Sequence, residues 1–288
     1  MSAKSTLIAF AIIIIWASNF LVIKTGGEAF EPLMLLAFRF FIAGLIFLPF
    51  VKWPGVYKAT QIAFIGLLLG LLHQGTMFVG IQQTSTSLMS IILQTNVIII
   101  TLMAWVILKE HIGWRTWGGI FIAIIGVIIL VYKPGDTGNA QGITLGFISA
   151  AFVAFANFMM KQVDSVHAPT YMVFLHLPIA PLILLASFFI EGTSWINNAP
   201  NLNWKLIGFA IFYQAIILSI SHIYWQKLMV KHKISQLMPL TLMIPVFTMI
   251  MAIVILDEEI TTNIIIGGAL TIAGVGLITL RKIQKNQM

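Results

Sequence analysis

Of the sixteen Lys and Arg residues in this chain, Arg39 alone sits within long apolar sequence, with Leu33 to Phe38 before it and Phe40 to Gly44 after it. A guanidinium presents a planar fork of donors that matches a carboxylate. Such a residue either holds the acid group of an amino-acid-like solute, or caps backbone carbonyls and pairs with nearby Glu28 or Glu31. His73, His176 and His222 occupy similar apolar stretches. An imidazole there bonds a solute, relays a proton near neutral pH, or donates to a neighbouring carbonyl. Asn19, Gln94 and Asn96 add amides that hydrogen-bond a zwitterion without fixing its charge, or else join helices at about 0.6 kcal/mol each. Gln94 and Asn96 are two residues apart, so on a helix they point about 200° from one another and only one faces any path. Tyr213, Gln214, Ser219, Ser221, Tyr224 and Gln226 form another polar run, which is expected to line a cavity. The histidines lack metal-ligand spacing and the chain has no cysteine, so neither a metal site nor a cofactor is expected.

The elements that position these groups follow from composition. Of the 288 residues, 59% are hydrophobic and 9% charged, with a mean hydropathy of +1.00. A soluble domain carries about 25% charged residues, so this chain cannot cover a water-facing surface. Taking about 20 apolar residues per membrane span, ten spans emerge, at 5–24, 32–51, 60–81, 87–108, 114–132, 143–161, 170–190, 204–225, 234–256 and 262–280. The first has no small-residue cleavage site and reads as a retained helix. With the N-terminus in the cytoplasm, the inner loops hold Lys4, Lys52, Lys58, Lys109, Arg115, Lys161, Lys227, Lys231, Lys233, Arg281, Lys282 and Lys285, against Lys24, Lys133 and Lys205 outside. Acids show the opposite bias, with Glu28, Glu31, Asp136, Glu191, Asp257, Glu258 and Glu259 outside and only Glu110 and Asp164 inside. The positive-inside rule then puts both termini in the cytoplasm. The formal charge of +7 becomes a topology signal with some attraction to anionic lipid, and nucleic-acid binding is not expected.

A shift of 148 residues aligns Met103, Ala104, Val106, Ile107, Leu108, Glu110 and Ile112 with Met251, Ala252, Val254, Ile255, Leu256, Glu258 and Ile260. Gly119, Ile124, Gly126 and Val127 continue it against Gly267, Ile272, Gly274 and Val275. The halves, 1–136 and 137–288, each hold five spans, so the second copy enters the membrane upside down. Two inverted five-helix repeats in an all-α membrane protein are the plan of secondary transporters, with the substrate path between repeats. Glu110 and Glu258 precede spans five and ten, where a carboxylate complements the helix dipole. Pro239 and Pro245 interrupt span nine, and Pro178 and Pro181 span seven, as hinges beside a site or as packing kinks. The glycine pairs Gly66 and Gly70, Gly118-Gly119 and Gly267-Gly268 follow no strand of a nucleotide-binding unit and permit close helix contact instead.

The segments Trp16-Ala17-Ser18-Asn19-Phe20, Pro32-Leu33-Met34-Leu35 followed by Arg39-Phe40, and Leu108-Lys109-Glu110 before Gly119 resemble the EamA repeat of the drug/metabolite transporter superfamily, across essentially the whole chain. Ser90-Ile91-Ile92-Leu93-Gln94, Met238-Pro239-Leu240, Ile244-Pro245-Val246 and Leu256-Asp257-Glu258 are similar to bacterial exporters of O-acetylserine and cysteine. The resemblance implies a multi-pass protein of the bacterial inner membrane that exports small zwitterionic metabolites by alternating access, as monomer or homodimer. It also favours Gln94 over Asn96 as the residue on the path. Import or exchange of a nucleoside-like metabolite such as S-adenosylmethionine is the alternative within this class. None of the nine acids falls inside a span, so proton coupling would fall to a histidine. An intramembrane enzyme would need convergent catalytic groups, and Ser219 with His222 lacks an orienting acid. A sensor would need a larger extramembrane domain.

Overall fold

A computed structural model describes residues 2–132, 138–160, 163, 166–193, 195–196, 199–232 and 234–285. Lys133, Asp136, Lys161, Asp164 and Lys233 of the charge count lie outside these residues, as does the boundary between the two halves. Ten helices are long and apolar enough to cross a membrane. They are α1 (Ala3–Ala29), α2 (Pro32–Phe50), α3 (Val56–Ile81), α4 (Thr86–Ile107), α5 (Trp114–Val131), α6 (Ala140–Met160), α7 (Ala168–Ile190), α8 (Trp204–Met229), α9 and α10 (Thr262–Leu280). In α9, Ile234–Thr241 is followed by Met243–Leu256. The starts carry local signals: Ser85 accepts from the Leu88 N–H at 3.1 Å, Asn139 from Gly142 at 2.8 Å and Asn203 from Leu206 at 3.2 Å, while Pro32 opens α2. These side chains satisfy backbone donors that the helix itself leaves open.

The loops sort into two ends. Thr84 bridges Gly138, and acids after α7 and α9 reach the starts of α2 and α4, so all five of these connections share one end. It carries Glu28, Glu31, Glu191, Asp257, Glu258 and Glu259 and is called the acidic end. At the opposite, basic end, Thr170 Oγ1 accepts from Lys52 N (2.9 Å) and donates to Lys52 O (3.0 Å), and His232 Nε2 lies 2.8 Å from Ser5 Oγ.

In lipid, helix association rests on close van der Waals packing more than on burial of apolar surface. The tightest place is the crossing of α5 and α10. A Cβ on Gly126 would meet the Thr271 nitrogen at 2.5 Å and the Gly267 oxygen at 2.6 Å; one on Gly274 would meet the Gly119 oxygen and the Ala123 nitrogen, both at 2.5 Å. Gly119 pairs with Gly267, and Gly126 with Gly274, under the 148-residue shift. The crossing therefore maps onto itself when the halves are exchanged, as inverted repeats require. A second trace of the repeat is in the backbone. Lys109 and Asp257 both adopt the left-handed conformation (φ 52° and 51°), and the next amides, of Glu110 and Glu258, reach back to Ala104 and Ala252 at 3.2 Å each.

Three features bend the bundle. The third helix of each half contains a wider π-helical segment, Leu68–Gly75 in α3 and Tyr213–Ile217 in α8. α4 breaks between Thr86–Leu93 and Thr95–Ile107, at Gln94, and α9 breaks at Leu242. α7 breaks at residues 177–179, before Pro181. Thr86–Leu93 packs on Met243–Leu256, so the acidic-end halves of α4 and α9 meet. Their basic-end halves pack mainly elsewhere, Thr95–Ile107 on α6 and α10 and Ile234–Thr241 on α10 and α1. The two broken helices thus converge at the acidic end and diverge toward the basic end.

Candidate functional site

Arg39 lies seven residues into α2, roughly 10 Å below its start at 1.5 Å per residue. It is buried, Nη1 donates to Gln74 Oε1 and the guanidinium stands 5.7 Å from the Phe40 ring. The expected alternative partners, Glu28 and Glu31, are not used, and Glu28 instead faces Lys24 at 3.9 Å. The reason is register. The π-helical segment of α3 delivers Gln74 to the buried guanidinium, whereas Glu28 is held at the helix end by its i,i+4 lysine. Arg39 Nε keeps no partner among the described residues.

Three imidazoles lie within electrostatic reach of this guanidinium. His73 Nδ1 is 2.7 Å from Ser149 Oγ, and that hydroxyl donates to the His73 carbonyl at 2.9 Å, so Nδ1 carries the proton toward Ser149. His176 Nδ1 donates to Met172 O and His222 Nδ1 to Leu218 O, both at 2.7 Å. Fixing the proton on Nδ1 leaves Nε2 as an acceptor. The His176 ring centre is 4.7 Å from that of Phe40, and the His222 ring 5.1 Å from that of Trp16. His222 retains accessible surface although Trp16 and its own helix flank it, as a cavity-lining residue does.

Gln214 in the α8 π-helical segment is 1% exposed, yet neither its amide nitrogen nor its oxygen has a partner among the described residues. Asn19 in α1 is buried with Oδ1 likewise unpartnered. The segment carrying Gln214 packs against both α1 and α2. An unsatisfied buried amide costs about 1–3 kcal/mol, which a bound polar solute or water would offset. Around these groups, Tyr213 Oη lies 2.6 Å from Ser18 Oγ and donates to Ile15 O, and Trp16 Nε1 donates to Ser221 Oγ at 2.9 Å.

Other candidates are placed differently. The Asn96 amide donates to Leu93 O and Thr95 Oγ1 donates to Ile92 O at 2.7 Å, so both satisfy carbonyls at the break in α4. Gln94, the break residue itself, is partly accessible. Tyr224 is exposed with its ring 5.1 Å from Lys227 Nζ, which sets it apart from the cluster at the basic end of α8. Pro245 is buried just after the α9 break; lacking an N–H, it cannot donate the helical bond to the residue four before it. Pro239 lies within Ile234–Thr241. Glu258 does not serve the dipole of its own α10: its carboxylate accepts from Thr86 N at 2.5 Å, Ser87 N at 3.1 Å and Ser87 Oγ at 2.8 Å, capping α4 of the other half. Its expected role is corrected accordingly. Glu191, not singled out from sequence, does the same for α2, accepting from Leu33 N (2.7 Å), Met34 N (3.2 Å) and Ser187 Oγ (2.5 Å). Burial pushes the Glu191 carboxyl above the usual carboxylate range, against the pull of these donors. Gln74 and Ser149 were also missed. Each is a polar residue in an apolar run beside or opposite a singled-out histidine, the signal that would have found them.

No group of three or more His, Cys, Asp or Glu residues converges to hold a metal among the described residues. A cavity of about 350 Å³ at the acidic end is lined by Glu28, Phe30, Glu31 and Trp195 among others, and by none of the cluster around Arg39.

The model of the EamA-like transporter family matches residues 3–132 and again 140–280. A probable amino-acid metabolite efflux pump of Salmonella typhimurium is 27% identical over 284 residues, covering 95% of this chain and 94% of that protein. An uncharacterized inner membrane transporter of Escherichia coli is 28% identical over 227 residues, covering 75% and 72%. A crystal structure 18% identical in sequence superposes over the full length of both chains with a TM-score of 0.64, which establishes the shared fold.

Proposed function

Since the chain belongs to the EamA-like transporter family, a family of the drug/metabolite transporter superfamily, we propose that it exports small zwitterionic metabolites across the bacterial inner membrane by alternating access between its two halves. The observation that carries this reading is the pairing of one buried cation with neutral acceptors. Arg39 and the three imidazoles occupy one region, and both ends of Gln214 are unsatisfied within reach of α1 and α2. A carboxylate matches the guanidinium fork, and an ammonium group matches the Nε2 and amide-oxygen acceptors. Among the described residues the one acid within a span is Glu28, in the last turn of α1 beside Lys24, and the lack of any carboxylate deeper in the spans favours a solute that brings its own counter-charge over a free cation. The name of the Salmonella relative, a probable amino-acid metabolite efflux pump, supports the same class.

The divergence of α4 and α9 toward the basic end, which the positive-inside rule assigns to the cytoplasm, fits one state of such a cycle, and the direction, export, is supported by the name of the Salmonella relative, a probable efflux pump. Any proton carried would ride an imidazole, with His222, the accessible one, as the carrier. The helix termini and the buried amides provide binding and positioning without bond-making chemistry, in keeping with transport and not catalysis.

The test is counterflow of labelled amino acids and O-acyl amino acids in proteoliposomes. Exchange that falls more than tenfold in Arg39→Ala, with folded protein at normal yield, supports the reading. Undiminished exchange in Arg39→Ala and Gln214→Ala overturns it, and uptake that needs a pH gradient yet survives replacement of all three histidines overturns the imidazole carrier.

A further inference from the structure

The two halves match in sequence and in several backbone details but differ in one contact. Thr86–Leu93 and Met243–Leu256 pack on one another at the acidic end, and Glu258 at the end of the second caps the first amides of the first. Under the 148-residue shift, Met243–Leu256 corresponds to 95–108 and Thr86–Leu93 to Ile234–Thr241. The counterpart contact would thus join the inner part of α4 to the start of α9 at the basic end. No contact of comparable extent joins them among the described residues: these segments pack mainly on α6, α10 and α1. Glu110, the counterpart of Glu258, is exposed, and no side-chain partner is found for it among the described residues.

All other parts of the device are present twice. Lys109 and Asp257 share the left-handed turn that reverses the chain after the helix, and the Glu110 and Glu258 amides make the same bond to Ala104 and Ala252. Ser87, whose hydroxyl donates to Glu258, has Ser235 as its counterpart in the sequence. A backbone conformation with φ near +50° is costly for a residue other than glycine. Its presence at both sites aims each glutamate alike, and only one has a target in this conformation.

We propose that Glu258 and Glu110 are reciprocal latches. Glu258 holds the acidic end shut in the conformation described here, and Glu110 caps the first amides of Ile234–Thr241 to hold the basic end shut in the opposite one. The proposal rests on the alternating-access part of the functional reading but not on the identity of the solute. Each latch is a carboxylate on free backbone N–H groups at a helix start, a charge-assisted bond that the helix dipole strengthens. Because one latch is made as the other is broken, the two conformations differ little in the bonds they contain, and neither is a trap.

The test uses the absence of cysteine from the chain. Spin labels on V106C and Q236C report the gap at the basic end, and labels on Q83C and E259C the gap at the acidic end. Distances are measured in the full chain in nanodiscs without solute. Glu258→Gln should shift the populations toward acidic-end-open about tenfold, the scale of one lost charge-assisted hydrogen bond. Glu110→Gln should shift them the other way by a similar factor, and the double variant should return near the original ratio. If Glu258→Gln gives no folded protein, Ser87→Ala removes only the hydroxyl bond and should move the ratio in the same direction about threefold. A Glu110→Gln variant that leaves both distances unchanged, or moves them as Glu258→Gln does, overturns the proposal. Distances that exchange as stated while no solute is transported would instead count against the functional reading.

Discussion

α4 and α9 are the same element in opposite halves, and they break at the same place by different chemistry. Gln94 and Leu242 are 148 residues apart, and the amides of both reach back three residues, to Ile91 O at 3.0 Å and Pro239 O at 3.2 Å. In α9 the break follows from Pro245, which cannot donate to Thr241 and crowds its carbonyl. In α4 no proline is present; Thr95 and Asn96 side chains bond the Ile92 and Leu93 carbonyls instead. Side chains that back-bond to preceding carbonyls bend helices. What the repeat preserves is therefore the bend, and each half reaches it with its own residues. The comparison teaches that an intramembrane amide can be a structural device in one half where a proline does that task in the other.

Four outcomes would break or sharpen this comparison. The halves carry matched glycines where α5 crosses α10, so Gly126→Leu and Gly274→Leu should be equally severe, each forcing a side chain into opposing backbone at 2.5 Å. Loss of the monodisperse peak in size-exclusion chromatography for one and not the other would show the crossing to be unsymmetrical. The halves differ most at Arg39, whose fork has no second copy. Arg39→Lys should lower transport by at least tenfold in proteoliposomes with folded protein retained, because a point charge does not reproduce bidentate geometry. At the breaks, Pro245→Ala and the pair Thr95→Val with Asn96→Leu should each slow transport several-fold, and combining them should cost more than either; transport unaffected by the α4 pair would assign its break to packing alone. The smallest effect concerns Glu191. Its carboxyl is raised by burial, so the folded state holds its proton more tightly than the unfolded chain. Its contribution to stability is full below the ordinary carboxylate value of about 4.3 and is lost as pH rises through the raised one. The melting temperature of the unsubstituted protein minus that of Glu191→Gln should fall across that window; a difference that does not change with pH would remove burial as the dominant influence.

Much of the fold was legible because lipid imposes a simple demand on sequence. Long apolar runs located all ten helices, and the matched Glu110 and Glu258 with two glycine pairs disclosed the repeat. The ends were less legible. Apolarity stops near Lys24, but α1 continues to Ala29 because Lys24 Nζ donates to the carbonyls of Ile81 and Gln82 at 3.1 and 3.2 Å, where α3 ends. That partner is almost sixty residues away, and no local pattern announces it. The candidate site was legible as a set of residue types. Arg39 and the histidines stand out by cost alone, since lipid tolerates such groups only with partners. Which of them meet was not readable, because the π-helical segments of α3 and α8 rotate their residues away from the ordinary register. That rotation delivers Gln74 to Arg39. Glu258 was misread for a related reason, since a carboxylate just before a helix is assumed to serve that helix when the fold supplies another.

The crossing of α5 and α10 has a mechanical consequence. A contact that maps onto itself when the two halves trade roles looks the same before and after they do so. In the proposed alternating-access cycle it requires no remodelling and acts as a fulcrum. The moving helices behave as levers about it, and the load falls on four glycines that let two backbones touch.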